Sequence, residues 1–236
     1  MKKRSKRYRA ASQLLEADRR YRLRDAVPLV KKMSTAKFDE TVTMALRLGV
    51  DPTKAEEQVR GSVVLPGGTG KKIRILVFAK GEKIAEARDA GADLIADDDL
   101  VKKIQEGVLE FDAVISTPDE MAKVGKLGKI LGPRGLMPSP KTGTVTADLK
   151  TAVQKLRAGQ VSYRNDKEGN VHIFVGKASF EEDSIFRNAE ALVRSIIGAK
   201  PKAIGGRGEF FLSASIAPCM GPAIALDPVT LWDDFA

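Results

Sequence analysis

Cysteine and histidine are nearly missing from this chain. Of its 236 residues, one is Cys (Cys219) and one is His (His172). A single Cys has no intramolecular disulfide partner, which fits a reducing compartment. Zinc sites of the Cys/His type need several such ligands, and this chain does not have them. A Ser-His-Asp or Cys-His centre would have to run through His172 alone. Aromatic residues make up 6% of the chain, too few for broad base-stacking platforms. Long apolar runs are lacking too. The late uncharged stretch at 210–226 is broken by Pro218, Gly221 and Pro222 and reads as strand plus loop, so no membrane span is expected. No apolar segment follows the basic N-terminus, so no secretory signal is expected.

What is abundant is positive charge. There are 40 Lys+Arg against 31 Asp+Glu, a net charge of +9 and a pI near 9.6. An excess of this sign points to a polyanionic partner. The length suits one or two domains. With 43% hydrophobic and 30% charged residues, a core of ordinary size forms and disorder is excluded as the overall class.

The pattern of residues changes along the chain. Residues 1–9 carry Lys2, Lys3, Arg4, Lys6, Arg7 and Arg9, an arm that is either simply solvated or touches RNA. Leu23, Ala26, Val27, Val30 and Met33 follow helical spacing. Val42, Met44, Leu46 and Leu48 then alternate with Thr41, Thr43, Ala45 and Arg47, which is strand spacing. Pro52 with Ala55, Glu56 and Glu57 suits a helical first turn, and 59–65 reads as a strand. Pro66-Gly67-Gly68-Thr69-Gly70 is the strongest punctuation and a domain boundary. Beyond it, short apolar runs at 73–78, 93–95 and 113–115 alternate with helical segments at 82–90 and 100–105. Thr117-Pro118 opens another helix. This spacing implies parallel βαβ units covered by helices. A Gly/Pro/Lys-rich irregular loop spans 125–141, and a helix covers 148–158 up to Gly159. Strands at 161–165 and 171–175 flank a turn at 166–170 as a hairpin. A long helix at 181–197 and a strand at 210–217 follow.

Several segments invite a chemical reading. Gly67-Gly68-Thr69-Gly70-Lys71-Lys72 is not a phosphate-binding P-loop: Leu65 stands where the first Gly belongs, and Lys72 where Ser or Thr belongs. The alternative is a flexible inter-domain hinge. Gly125-Lys126-Leu127-Gly128 has the G-x-x-G form of a backbone-clamping loop. It lies in a stretch, 121–147, with no Asp or Glu but with Lys123, Lys126, Lys129, Arg134 and Lys141. Such a loop either contacts phosphates through amides and cations or is merely solvated. Asp97-Asp98-Asp99 precedes a helix, where carboxylates suit capping; a metal site is the weaker alternative. His172 lies in a strand with no catalytic constellation around it, so its role is structural or RNA-contacting. Phe38 beside Lys37 is either core or an exposed ring fit to stack on a base or ribose. The loop 217–222 is either a strand terminator or a close-approach surface for a nucleic-acid backbone. A nucleotide-dependent enzyme would need G-x-G-x-x-G after the first central strand; Ala79-Lys80-Gly81-Glu82 is there instead.

Taken together these segments resemble one family, the large ribosomal subunit protein one, of bacterial type, over almost the whole chain. The resemblance rests on Lys37-Phe38-Asp39-Glu40-Thr41-Val42, Val50-Asp51-Pro52, Val59-Arg60-Gly61 and Leu65-Pro66-Gly67-Gly68-Thr69-Gly70-Lys71. It rests above all on the run from Gly125 through Lys126, Lys129 and Arg134 to Pro138, with Lys141-Thr142-Gly143-Thr144-Val145-Thr146 after it. Tyr163-Arg164-Asn165-Asp166-Lys167, His172 and Gly176-Lys177 complete it.

The resemblance implies an α/β protein of two domains. One is a discontinuous α/β sandwich domain from both chain ends, 1–67 and 160–236. The other is an inserted Rossmann-like domain, 68–159, with a mostly parallel sheet. Gly67, Gly68, Gly70 and Gly159 would form a two-stranded hinge. It implies a non-catalytic structural constituent of the large ribosomal subunit that needs no cofactor or metal. Such a protein binds large-subunit rRNA to form the mobile stalk and aids release of deacylated tRNA from the exit site. It also represses translation of its own messenger RNA by binding a similar RNA structure. It is cytoplasmic and monomeric when free. Carried over by position, the rRNA-binding residues would be Lys37, Phe38, Thr41, Thr43, Ser213, Cys219, Met220 and Gly221, with Arg164, Lys167 and His172 nearby. A second RNA or tRNA contact would use Lys126, Lys129, Arg134 and Lys141. One departure stands out. Where the family pattern is Thr-Thr-Met-Gly, this chain has Pro218-Cys219-Met220-Gly221. The hydroxyl is replaced by a thiol, a weak donor and acceptor, so either the backbone N–H carries that contact or affinity falls.

Overall fold

The structure, a computed structural model, describes residues 4–16, 18–107, 109–202, 204 and 209–236. Lys2 and Lys3 of the basic arm lie outside them. The chain divides into two compact units, residues 1–70 with 161–236, and residues 71–160. The leading segment holds α1 (Lys6–Ser12), α2 (Leu23–Met33), β1 (Thr41–Leu48) and β2 (Arg60–Val64). The inserted segment holds β3 (Ile75–Phe78), α3 (Glu82–Asp89), β4 (Leu94–Ile95), α4 (Asp98–Gln105), β5 (Ala113–Ser116), α5 (Met121–Lys126), α6 (Gly128–Leu131) and α7 (Leu149–Arg157). The returning segment holds β6 (Gln160–Arg164), β7 (Asn170–Lys177), α8 (Glu182–Gly198), β8 (Phe211–Pro218), β9 (Ile224–Leu226) and α9 (Pro228–Phe235). The class is α/β, as the sequence led one to expect.

The first unit is built on an antiparallel sheet of order β7-β1-β8-β9. Its central strand shows why period-two patterning matters: Val42, Met44, Leu46 and Leu48 are buried on one face. Against that face lie Ala26, Val27, Val30 and Met33 of α2, and Ile185, Ala189, Leu192, Val193 and Ile196 of α8. Helices cover the inner face, so side chains of opposite parity are left on the outer one. Registry places Thr43 opposite Phe174 and Ala217, Ala45 opposite His172 and Ser215, and Arg47 opposite Asn170 and Ser213.

The inserted unit has a parallel sheet of order β4-β3-β5. All four residues of β3 are buried, because helices cover both faces. Ile75 and Val77 pack with Ala87, Leu149 and Val153; Leu76 and Phe78 pack with Ile104, Val124, Leu127 and Leu131. This is the layered arrangement of a Rossmann-like unit.

Some local expectations are corrected. The turn at 166–170 forms, with Asp166 N–H donating to Asn170 O at 2.8 Å, but β6 and β7 are not a hairpin. β6 pairs with β2 and β7 with β1, so the turn passes the chain from one sheet to another. Residues 52–57 are turns, not a helical start. The Asp51 carboxylate takes the Thr53 N–H and hydroxyl, and Glu57 takes the Asp51 N–H, an arrangement that competes with helix. The expected irregular loop at 125–141 is helical as far as Leu131. Leu127 is buried there, and the N–H groups of Leu127, Ile130, Leu131 and Gly132 donate to local carbonyls. The G-x-x-G segment is therefore a helix junction, not an irregular loop. Asp97 precedes α4 as its N-cap but makes no side-chain cap bond, and no cluster suited to a metal ion occurs among the described residues. No helix among them is long and apolar enough to cross a membrane.

Candidate nucleic-acid interface

Two loops meet at one end of the β1–β8 pair. Lys37 and Phe38 lie in a bend just before β1. The Phe38 ring is 55% exposed, so of its two sequence readings the exposed ring is the one realised. Cys219, Met220 and Gly221 lie in the turn just after β8, and Met220 is 49% exposed. Both are large apolar side chains left open to solvent. The Glu40 carboxylate, buried at 2% exposure, accepts the Ala36 N–H at 2.8 Å and the Met220 N–H at 3.0 Å.

The far side of the first loop is held as well. Asp39 accepts the Ser179 N–H and hydroxyl at 3.0 and 2.9 Å. Lys177 Nζ donates to Thr41 Oγ1 at 2.7 Å. Every amide of the second loop is engaged: Cys219 N–H to Thr41 O, Met220 N–H to Glu40, Gly221 N–H to Pro218 O. Of the two alternatives for the lost hydroxyl, the Cys219 backbone N–H is already bonded to Thr41 O within the protein. What this loop offers a ligand is its surface, namely the exposed thiol and the Met220 side chain. Gly221 is required by close approach: a Cβ there would stand 2.5 Å from Pro218 Cγ.

From these loops the outer sheet face runs down β1, β7 and β8. Thr43 is exposed and its hydroxyl donates to Ala217 O at 3.3 Å. Ser213 is exposed opposite Arg47, and His172 is exposed opposite Ala45. Sequence reasoning missed Arg47 and Ser215 on this face. The period-two rule, continued from Thr43 and from Ser213, would have found both. Arg164 and Lys167 are exposed but elsewhere: Arg164 ends β6 in the two-stranded sheet, and Lys167 is on the 166–170 turn. His172 approaches that turn through Asp166, 3.9 Å from its carboxylate. Bonds from Asn170, then from the Glu168 amide, hold the Asp166 carboxyl below the usual Asp range, His172 adding a smaller pull. Such a group stabilises the turn at all pH above the ordinary Asp range, and this is lost as pH falls through its lowered value.

The chain passages between the units are also defined. Gly67 N–H donates to Asn188 Oδ1 at 2.7 Å, and Asn188 Nδ2 donates to Val175 O at 2.7 Å and Gly68 O at 3.3 Å. Asn188 is fully buried on α8. Gly68, Gly70 and Gly159 have positive φ of 72°, 69° and 101°, where a side chain is strained. In the inserted unit, Lys126, Lys129, Arg134 and Lys141 are all exposed.

The family model of the ribosomal protein L1p/L10e family matches residues 30–222, from the last turn of α2 to the approach to β9. The chain belongs to that family. The match spans both compact units and includes both loops. Membership makes this L1p/L10e protein a structural, non-enzymatic component of the large ribosomal subunit that binds the subunit's RNA. That settles the choice between a nucleotide-dependent enzyme and an RNA-binding protein, which the Rossmann-like unit alone did not, since a fold does not imply a function.

Proposed function

We propose that this protein, of bacterial type, holds large-subunit rRNA on the outer sheet face of its first unit, with Phe38 and Met220 seated on sugar and base surfaces. The observation that carries this is the pair of exposed apolar side chains at the head of a sheet face lined by Thr43, Ser213, Ser215, His172 and Arg47. Small hydroxyl side chains there suit 2′-hydroxyl contacts, the feature that distinguishes RNA from DNA. Lys37, Thr41, Cys219 and Gly221 border the same place, and Arg164 and Lys167 supply flanking charge. The two compact units act as domains. Because Asn188 holds Gly67 and Gly68 to the first unit, the pivot begins after Gly70 on one passage and at Gly159 on the other. Movement about it carries the inserted domain with the stalk as deacylated tRNA leaves the exit site. Lys126, Lys129, Arg134 and Lys141 give that domain its own RNA or tRNA contact. Free of the ribosome, a monomer in the cytoplasm, the protein represses its own messenger through the same rRNA-like surface.

Two measurements test this. In sucrose gradients of cell lysate the protein should travel with the large subunit; a profile confined to the top fractions would leave only a free-standing repressor. In filter binding to deproteinised large-subunit rRNA, log affinity should fall with log salt by about 0.7–0.9 per phosphate contact. A flat salt response would remove Lys37, Arg47, Arg164 and Lys167 from the interface.

A further inference from the structure

We infer that Glu40 is the positioning residue that sets both rRNA-facing loops, a role that rests on the rRNA reading of that surface. A carboxylate at 2% exposure is rare unless its acceptor capacity is used. Here it is used twice and across the chain. One oxygen takes the Ala36 N–H, two residues before Phe38; the other takes the Met220 N–H, 180 residues away. Its own carbonyl accepts the Ala178 N–H at 2.8 Å, which ties the residue to the end of β7. The buried fork joins the segments that carry the exposed apolar side chains Phe38 and Met220, and the Glu40 carbonyl adds a third, at Ala178.

The chemistry requires a carboxylate. Both partners are N–H donors, so both oxygens must accept. A glutamine in the same rotamer keeps one acceptor and turns an NH2 against the second amide. Without the fork, the Phe38 bend and the Met220 turn must each be ordered when RNA arrives, and that ordering subtracts from affinity. Glu40 itself is buried and a carboxylate makes no phosphate contact, so its loss should leave the count of such contacts, and with it the salt slope, unchanged.

The test uses the full chain, deproteinised large-subunit rRNA and filter binding over a range of salt. Glu40→Gln should weaken binding by about fivefold to tenfold with an unchanged salt slope, whereas Lys37→Ala should lower the slope by about 0.7–0.9. Hydrogen exchange should show the Ala36 and Met220 amides losing protection while the amides of β1 keep theirs. In a Met220→Ala background the Glu40→Gln penalty should shrink, because the carboxylate acts through that loop. Glu40→Asp, which keeps the charge but shortens the reach, should behave like Glu40→Gln. Affinity within twofold of the unaltered chain despite lost protection at Ala36 and Met220 would overturn the proposal. Full additivity with Met220→Ala would overturn it too. Loss of protection along β1 in both Glu40 variants would make the residue a determinant of the fold instead. Failure of the unaltered chain to bind the rRNA would remove the underlying reading, and is seen before any variant is measured.

Discussion

Met220→Asp is expected to weaken binding to deproteinised large-subunit rRNA by about tenfold to a hundredfold, roughly 1.4–2.8 kcal/mol. The thermal midpoint of the protein should move little. Met220 is 49% exposed, so the core does not need it, and substitutions at such positions shift stability by about 0.5 kcal/mol or less. Binding, in contrast, has few ways around the change. The amides of Cys219, Met220 and Gly221 are all engaged within the protein, so on the proposed reading the loop would meet RNA through its side-chain surface. A carboxylate there removes apolar contact and sets a negative charge beside phosphates. Met220→Ala removes the contact alone and should cost about threefold to tenfold, within the usual range for a truncated interface residue. Binding by Met220→Asp within twofold of the unaltered chain would take this loop out of the interface.

Asn188→Leu should destabilise the first unit by roughly 3 kcal/mol, because it leaves the Gly67 N–H and the carbonyls of Val175 and Gly68 without their partner. For a unit of this size that is a fall of about 10 °C in thermal midpoint. The inserted unit keeps its own core, built on β3, α7 and α5. Calorimetry should therefore show one transition moving and a second staying in place. A midpoint unchanged within about 2 °C would mean that water replaces the Asn188 bonds and that the Gly67–Gly68 passage is not held from α8.

Which parts were legible in the residues follows from the range of the forces involved. β1 announced itself through Val42, Met44, Leu46 and Leu48, and α2 through Leu23, Ala26, Val27, Val30 and Met33, because burial of one face imposes a period on the sequence. β3 was legible as a run without alternation, since both of its faces are covered. The 166–170 turn was legible too, yet its strands were assigned to one hairpin. Turn chemistry is local, but the sheet that a strand joins depends on segments far away: Val59 O takes the Asn165 N–H, and Arg47 lies opposite Asn170. The Gly/Pro/Lys stretch at 125–141 looked irregular from composition, yet Val124, Leu127 and Leu131 on one face draw its first part into helix against Leu76 and Phe78.

The candidate surface divides the same way. From sequence alone came the class of partner, through the +9 charge, and the absence of Cys/His metal sites and of a nucleotide loop. The family resemblance was carried by Lys37-Phe38 and by the run that starts at Gly125. These depend only on which residues are present and in what order. Tertiary structure alone decided that Phe38 is exposed instead of core, and that Arg47 and Ser215 share the outer face. It also decided that the Cys219 amide is already taken, and that one buried carboxylate, Glu40, spans two loops 180 residues apart. The reason is physical: exposure and hydrogen-bond partnership are properties of packed neighbours, and in this chain those neighbours come from opposite ends.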